Sequence, residues 1–259
     1  MAEPARKPSA FDDPFRFGSR LARVRLADGR AEVREIPLTA DDLLEAQVGD
    51  QVSQNSWHVD TAFMLCDVVR RRYEPHADVF VTSDMKMIWE IPGLPGPSPD
   101  LAVIPGVRNR ERYRESFDVR IEGVRPCLVA EIVSNDPEAR RRDHVDKVAI
   151  YERAGVPEYL LIDPPFVTRE GRCRFAIYRL SPAGEYERVG PDLQEGVFSL
   201  ATGLWFGPSW DGQRVEVFDS SPRVRLLTAS EEAAARRAAE AEVERLEREL
   251  ERLRGLVGP

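Results

Sequence analysis

Residues 127–164 read CLVAEIVSNDPEARRRDHVDKVAIYERAGVPEYLLIDP, and this stretch decides the fold. It begins with an apolar run, continues as a charged segment and ends in a second apolar run. This order is typical of a β-strand, a crossover helix and a neighbouring strand. The sequence therefore predicts strands at residues 127–133 and 158–163, with a helix at residues 137–154 between them.

Glu131 is the unusual residue of the first apolar run, because aliphatic residues flank it on both sides. A glutamate at this position points off a strand in the middle of the sheet. Burying its charge without a partner would cost several kcal/mol or more. We therefore expect a partner for Glu131, and a metal ion is one candidate.

Asp100 is the second carboxylate at a special position. It follows a loop rich in proline and glycine at residues 92–99 and opens the apolar run at residues 101–105. Four prolines exclude a helix or a central strand in that loop. If the strands that carry Asp100 and Glu131 are neighbours, the two carboxylates meet at one edge of the sheet.

Lys147 lies on the predicted helix and shares a face with Asp143 and Tyr151, four residues away on either side. Two carboxylates on a rigid pair of strands suit Mg²⁺ or Mn²⁺, which bind through few carboxylates and keep several waters. Such an ion lowers the pKa of a bound water, and a lysine beside it stabilises phosphoryl charge.

Each of these residues also has a purely structural interpretation. Asp100 would then start a strand or cap a turn, and Lys147 would be a solvated lysine or the ion-pair partner of Asp143. Asp143 would support its helix, and Tyr151 would belong to the core. A turn role for Asp163 is at least as consistent with the sequence as a site role. The histidines show no metal-ligand spacing, which favours structural or exposed positions for His58, His76 and His144.

Elsewhere the periodicity predicts a helix at residues 56–72 that packs on the sheet. Residues 78–83 and 86–91 are interpreted as one hairpin, and residues 175–180 and 185–189 as another. The predicted apolar stripe of the helix comprises Val59, Phe63, Cys66 and Val69 or Arg70.

The last stretch, residues 230–256, is composed largely of alanine, glutamate, arginine, leucine and valine. Apolar residues recur there at alternating spacings of four and three, which is the heptad pattern of a coiled coil. Such a short coiled coil is marginal alone, so we expect a homodimer or another partner to associate through residues 230–257. The positions concerned are Ala239, Val243, Leu246, Leu250, Leu253 and Val257.

The 259 residues include 42% hydrophobic and 32% charged residues, which indicates a globular protein with a highly charged surface. No apolar stretch approaches the roughly 18 residues of a membrane span, and the first residues lack the apolar core of a signal peptide. We expect a cytoplasmic protein without membrane contact. The three cysteines are far apart, which favours free thiols over a zinc site.

The net charge of −8 argues against a protein that coats nucleic acid by bulk electrostatics. Local basic clusters at residues 70–72, 108–120 and 140–142 are still compatible with a local groove that binds nucleic acid. The alternative interpretation of each cluster is solvated surface.

A spaced set of residues resembles the Uma family of restriction endonucleases, within the PD-(D/E)XK nuclease superfamily. The resemblance covers roughly residues 40–205 and is strongest from Pro99 to Pro164. Its motifs are Pro99-Asp100, Glu131-Ile-Val-Ser134, Asp143, Lys147, Tyr151 and the segment from Gly155 to Pro164.

This resemblance implies an α/β fold with a central mixed β-sheet flanked by helices, and a divalent metal held by Asp100 and Glu131. It also implies hydrolysis of DNA phosphodiester bonds through a metal-bound water. The superfamily pattern has a lysine two residues after the glutamate, where this chain has Val133. The resemblance to the Uma family implies that the lysine role lies on the following helix, at Lys147, with Asp143 and Tyr151 in support.

Two other classes of protein remain. A nuclease-like domain that has lost catalysis would bind DNA or protein and associate through its coiled coil. A glycoside hydrolase would use two carboxylates around a sugar cleft, but the expected aromatic platforms are missing. The predicted domain organisation is a flexible arm at residues 1–20, a restriction-endonuclease-like domain at 21–222 and a coiled-coil helix at 228–257.

Overall fold

The computed structural model describes residues 13–26, 28–193, 196–220 and 223–257. The strands are β1 Gly18–Arg25, β2 Ala31–Pro37, β3 Gln51–Val52, β4 Val79–Thr82, β5 Met87–Ile88, β6 Leu101–Pro105, β7 Phe117–Asp118, β8 Leu128–Ile132, β9 Glu158–Asp163, β10 Arg174–Leu180, β11 Tyr186–Leu193, β12 Val197–Ser199, β13 Leu204–Pro208, β14 Val215–Ser220 and β15 Arg223–Arg225. The helices are α1 Ser56–Arg72, α2 Val119–Glu122, α3 Pro137–Arg141, α4 Lys147–Arg153 and α5 Ala229–Val257.

The central sheet has the strand order β11-β10-β9-β8-β6-β4. Strand β8 runs parallel to β9 and antiparallel to β6, so the sheet is mixed. The crossover from β8 to β9 passes through α3 and α4, as a parallel connection requires. The predicted α/β class, with a central mixed sheet and flanking helices, is confirmed.

Both faces of the central sheet are covered. On one face, α1 and the sheet formed by β12 to β15 pack against alternate residues of β8, including Leu128 and Ala130. On the other face, α4 packs against Val129 and Val133 with Tyr151 and Ala154. Because side chains alternate along a strand, Glu131 points to the α4 side.

The crossover helix is not continuous. A helix running from residue 137 to about 154 was expected, but residues Arg142–Asp146 form a π-helical turn between α3 and α4. Helix α3 begins with the Asp136 side chain accepting from the backbone of Glu138 and Ala139. Widened turns of this kind are frequent at functional sites.

The predicted hairpin of residues 78–83 and 86–91 is wrong. Strand β4 pairs with β6, whereas β5 pairs with β7 in a separate small sheet. Asp84, at φ 53°, turns the chain, and its backbone N–H bonds to Pro99 O, so the chain leaves the central sheet there.

Helix α1 matches its expected range, but its buried face differs from the predicted stripe. Phe63 is 74% exposed, while Ala62, Leu65 and Val69 are buried against the sheet. The apolar positions at 62, 65, 66 and 69 form the inner face, and Phe63 lies outside it. The predicted hairpin of residues 175–189 is present as β10 and β11.

The carboxyl-terminal segment contains one helix, α5, within residues 223–257. The first turn of α5 contacts α1: Ala229 N donates to Asp67 Oδ2, and Arg71 pairs with Glu232. From residue 234 to residue 254 every side chain is exposed. Among the described residues, no helix combines the length and apolar character needed to cross a bilayer. The division of the chain at residues 20, 222 and 228 stays a prediction.

Candidate active site

Glu131 is 2% exposed and has partners on both carboxylate oxygens. Lys147 Nζ lies 2.8 Å from Oε2, and the Tyr151 hydroxyl donates to Oε1 at 2.7 Å. Both partners come from α4, one turn apart, which is why they reach the same carboxylate. The buried charge that the sequence predicted to need a partner therefore has a cation and a hydroxyl.

Lys147 lies between two carboxylates. Its Nζ is 2.9 Å from Asp143 Oδ1 as well as 2.8 Å from Glu131 Oε2. Asp143 is itself held by the backbone N–H of Ser134, which donates to Oδ2 at 3.3 Å. The π-helical turn carries Asp143, so this turn sets the position of the ammonium group.

Burial and neighbouring charges have opposite effects on the pKa values of Lys147 and Glu131. Burial disfavours the charged ammonium, but the carboxylates of Asp143, Glu131 and Asp100 outweigh it and raise the pKa of Lys147. Burial raises the pKa of Glu131, and the nearby Lys147 opposes that shift. Lys147 is therefore a cation at neutral pH, and Glu131 is a stronger base than an exposed glutamate.

Asp100 immediately precedes β6 and is held from two sides. Its Oδ2 accepts from the backbone N–H of Ile132 at 2.7 Å, and its Oδ1 lies 2.8 Å from His58 Nε2. The register of β6 and β8 pairs Leu101 with Ala130, which brings Asp100 and Glu131 opposite each other on adjacent strands. The two candidate metal ligands thus meet at one edge of the sheet.

His58 belongs to this cluster, although its sequence context favoured a structural or exposed position. It lies in the first turn of α1, where Asn55 accepts from its backbone N–H. Burial lowers its pKa, but the carboxylates of Asp100, Glu131 and Asp143 outweigh that effect and raise it. No spacing signal in the sequence connects His58 with Asp100, because their contact is purely tertiary.

Asp84 also belongs to the cluster around Glu131 and Lys147. In the sequence it falls in the turn of the predicted hairpin between residues 78–83 and 86–91. Its backbone adopts φ 53°, which is uncommon for a residue other than glycine. Burial, and then the neighbouring Asp100, raise the pKa of its carboxyl. A strained backbone that carries a carboxylate into a polar cleft is typical of a functional site.

These groups open on one cavity of about 120 Å³. Its ionisable lining from the cluster is His58, Asp84, Asp100, Glu131, Asp143 and Lys147. Over its whole lining, carboxyl groups outnumber cationic groups: Asp84, Asp100, Glu131, Asp136 and Asp143 face Arg16, Lys147 and His58.

The donor set fits a hard divalent cation. Among the described ranges of the chain, no group of three or more histidine, cysteine or acidic residues has the geometry of a metal centre. Mg²⁺ does not require one, since it binds through one or two carboxylates and retains water. Asp100 and Glu131 supply two such carboxylates, and the surplus of carboxyl groups over cationic groups in the cavity favours a cation.

Asp163 and His144 form a separate pair near this edge of the sheet. His144 Nε2 lies 3.0 Å from Asp163 Oδ1, and Arg174 donates to Asp163 Oδ2 at 3.0 Å. Asp163 ends β9, and neither residue lines the cavity of the candidate site. This pair is consistent with a structural role for Asp163.

Comparison with known proteins gives one family match. The model of the family Uma2, described as "Putative restriction endonuclease", matches residues 47–211. That segment includes every residue of the cluster described above. No protein with curated annotation matches the chain at a significant level.

Among solved structures, one that is similar in part illustrates the likeness. It is described as a "putative nuclease belonging to DUF820" from Anabaena variabilis ATCC 29413. The match has 17% sequence identity and a TM-score of 0.42, and it covers 63% of this chain and 89% of that one.

Proposed function

This chain belongs to the Uma2 family, and from that membership we propose that it is a divalent-metal-dependent DNA endonuclease. The observation that carries the proposal is the buried cluster in which Lys147 bridges Glu131 and Asp143 while Asp100 lies opposite Glu131. Such a cluster is costly to bury and has no evident purpose in folding alone. Metal-dependent phosphodiester hydrolysis uses carboxylates to hold the ion and a fixed cation to stabilise the developing phosphoryl charge.

Asp100 and Glu131 are the proposed ligands of Mg²⁺ or Mn²⁺. When bound, such an ion would lower the pKa of a water and offset charge that develops on the phosphate. The Ile132 N–H and His58 hold the Asp100 carboxylate in place, and the Tyr151 hydroxyl does the same for Glu131.

Lys147 is the proposed electrostatic catalyst. Its pKa is raised by the carboxylates around it, so it stays charged and interacts with the phosphate oxygens rather than abstracting a proton. Asp143 is a positioning residue, because it fixes the ammonium from the preceding turn. In this assignment Lys147 takes the place of a lysine at position 133, which is Val133 in this chain.

A calorimetric titration with Mn²⁺ and Mg²⁺ tests the proposed ligands directly. The wild-type chain is expected to bind the ions, and Asp100→Ala and Glu131→Ala are each expected to weaken binding. The control is Glu185→Ala, since Glu185 is exposed in the turn before β11. Absence of wild-type affinity, or equal affinity in all four proteins, would refute the metal assignment.

A second candidate is a nuclease-like interaction module without catalysis. The valine at position 133, the net charge of −8 and the exposed α5 favour it. It predicts equal DNA binding by wild type and Glu131→Gln, and no cleavage of plasmid or single-stranded DNA with Mn²⁺.

The exposed part of α5 is proposed to pair with α5 of a second copy as a coiled coil. Val243, Leu246, Leu250 and Leu253 are each about half exposed, between 47% and 54%. They form one stripe at heptad spacing, and the side chain at Val257 lies outside the described residues. The proposed protein is thus a homodimer of DNA endonuclease domains located in the cytoplasm.

A further inference from the structure

A second cavity, of about 490 Å³, lies at the first turn of α1, the helix that also carries His58 of the candidate active site. It is formed by the first turn of α1, the loop after β9 and the turn between β13 and β14. Its lining residues are Trp57, Pro165, Phe166, Gly171, Gln213 and Arg214.

The cavity presents aromatic surface. Trp57 and Phe166 meet edge to face, with ring centroids 5.9 Å apart, and Phe166 is 49% exposed. Trp210 lies on the same β13–β14 turn as two of the lining residues and is 92% exposed. A single exposed apolar side chain is ordinary, but two aromatic rings in contact with a third, exposed one on the adjoining turn are not.

Hydrogen bonds fix the turn that carries Trp210. Ser209 N donates to Arg214 O and Gly212 N donates to Ser209 O, both at 2.8 Å. The Ser209 hydroxyl donates to Asp211 Oδ1 at 2.6 Å. The indole ring therefore projects from an ordered backbone, which reduces the entropy lost when a ligand contacts it.

The same turn is bound to the rest of the aromatic cluster. Trp57 Nε1 donates to Gln213 O at 2.9 Å, and Arg172 donates to Trp210 O at 3.3 Å. Trp57, the loop after β9 and the Trp210 turn are thus one connected surface. Arg172 and Arg214 place positive charge on it, and Asp211 places one carboxylate on the same turn.

This surface and the candidate active site use the same two parts of the fold, the first turn of α1 and the carboxyl ends of β8 and β9. Trp57 directly precedes His58, whose ring contacts Asp100. The loop with Phe166 leaves β9 at its carboxyl end, and β9 is parallel to β8, so both strands end at the edge that carries Glu131. The aromatic surface therefore lies at the same end of the two parallel strands as the first cavity.

We propose that Trp57, Phe166 and Trp210 form a stacking site for unpaired bases of the DNA strand that enters the active site. The site rests on the proposed endonuclease function and extends it to single-stranded or locally unpaired DNA. Aromatic rings stack on bases of any sequence, and neighbouring arginines attract the phosphates. Bases inside a duplex are already stacked and would gain little from this surface.

The test is fluorescence anisotropy with a labelled oligodeoxythymidine of about 12 nucleotides, in EDTA so that no cleavage occurs. Trp210→Ala and Phe166→Ala are each expected to weaken binding of this strand about tenfold. Trp210→Phe is expected to retain most of the affinity, because it keeps an aromatic ring. Binding of a duplex of the same length is expected to change less than threefold.

The matched control is Tyr113→Ala. Tyr113 is 82% exposed, in a loop that Arg110 attaches to backbone carbonyls of Tyr73, Glu74 and His76 at the carboxyl end of α1. The 17 residues of α1 place this end roughly 25 Å from Trp57. Tyr113→Ala is expected to bind the oligonucleotide like the wild type.

Equal affinities of Trp210→Ala, Phe166→Ala and Tyr113→Ala would overturn the proposal. So would equal losses for duplex and single strand, or a change in oligomeric state of Trp210→Ala on sedimentation, which would indicate a protein interface. Because binding is measured without a metal, the result is independent of cleavage. A wild type that binds through Trp210 yet cleaves nothing would refute the endonuclease function and leave the stacking site intact.

Discussion

At the residue scale, the Tyr151 hydroxyl holds the buried carboxylate of Glu131 in place. Replacing Tyr151 by phenylalanine removes the donor to Glu131 Oε1 and leaves the ring in place. We expect a loss of about 1–2 kcal/mol in the free energy of unfolding, and about tenfold weaker metal affinity or activity. Because the lost hydrogen bond favours the charged carboxylate, its removal raises the pKa of Glu131, and metal binding is expected to begin at higher pH than in the wild type.

Tyr159→Phe is the control for that variant. The Tyr159 hydroxyl is equally buried and donates to the backbone carbonyl of Asp143 at 2.9 Å. We expect a similar loss of stability on urea denaturation but a smaller loss of metal affinity. If both variants lost metal affinity equally, Tyr151 would have no specific role in positioning Glu131.

Lys147→Met tests the buried cation. It leaves Glu131 and Asp143 without their shared ammonium, and breaking a buried ion pair costs about 3–5 kcal/mol. The pKa of Glu131, already raised by burial above its ordinary value of 4.5, rises further. Between the unfolded-state pKa of 4.5 and the raised folded-state pKa, the folded state holds more protons than the unfolded state. The free energy of unfolding of the variant therefore falls as the pH rises through this range, which extends to about 8 or above.

The measurement is urea denaturation of Lys147→Met at pH 5 and pH 8. The variant is expected to be less stable at pH 8, and adding Glu131→Gln is expected to reduce that difference. A pH-independent stability of the single variant would show that Glu131 is not the titrating group.

Part of the residue cluster at the candidate active site could be predicted from the sequence, and part could not. Glu131 and Asp100 were recognisable, since each is a carboxylate next to an apolar run, and Lys147 followed from helical spacing. His58 and Asp84 were not recognisable. His58 approaches Asp100 only because α1 packs on the central sheet, and Asp84 does so only because its backbone turns at positive φ.

At the element scale, the crossover from β8 to β9 depends on how α4 ends. Gly155 has φ +69°, and a Cβ at this position would lie 2.6 Å from Arg125 Nη1, which donates to Ala154 O. Gly155→Ala is therefore expected to cost more than the roughly 1 kcal/mol of the left-handed conformation alone. Urea denaturation measures the loss.

Gly184→Ala isolates the conformational part of that cost. Gly184 has φ +82°, and nothing lies within 4 Å of the added Cβ. The difference between the two variants reports the displacement of Arg125. Equal losses would mean that Arg125 adjusts freely and does not help to end α4.

The predicted helices and strands agree with the structure where the spacing of apolar residues in the sequence matches the burial of those residues in the fold. The strand, helix and strand of residues 127–164 follow the buried run, polar segment and buried run of the sequence. The hairpin of residues 78–91 failed because pairing with β6 outweighed the local turn signal. The π-helical turn between α3 and α4 has no signature in the spacing of apolar residues.

At the scale of the whole molecule, α5 determines the proposed oligomeric state. Leu246→Glu combined with Leu250→Glu places two carboxylates in the exposed stripe, and we expect a dimer to become a monomer. Ala241→Glu is the control, because Ala241 is exposed on α5 outside the stripe. Analytical ultracentrifugation distinguishes the species. A monomeric wild type, or a dimer that survives the double substitution, would contradict pairing through α5.

The most direct test of the central claim is plasmid cleavage with Mn²⁺. We compare wild type, Asp100→Asn, Glu131→Gln and Glu185→Gln, each with a folded-state check by circular dichroism. We expect cleavage by wild type and Glu185→Gln, and a cleavage rate that is lower by at least about a hundredfold in Asp100→Asn and Glu131→Gln. No protein is expected to cleave in EDTA. Cleavage that persists in Glu131→Gln, or a folded, metal-binding wild type that leaves plasmid and single-stranded DNA intact, would contradict it.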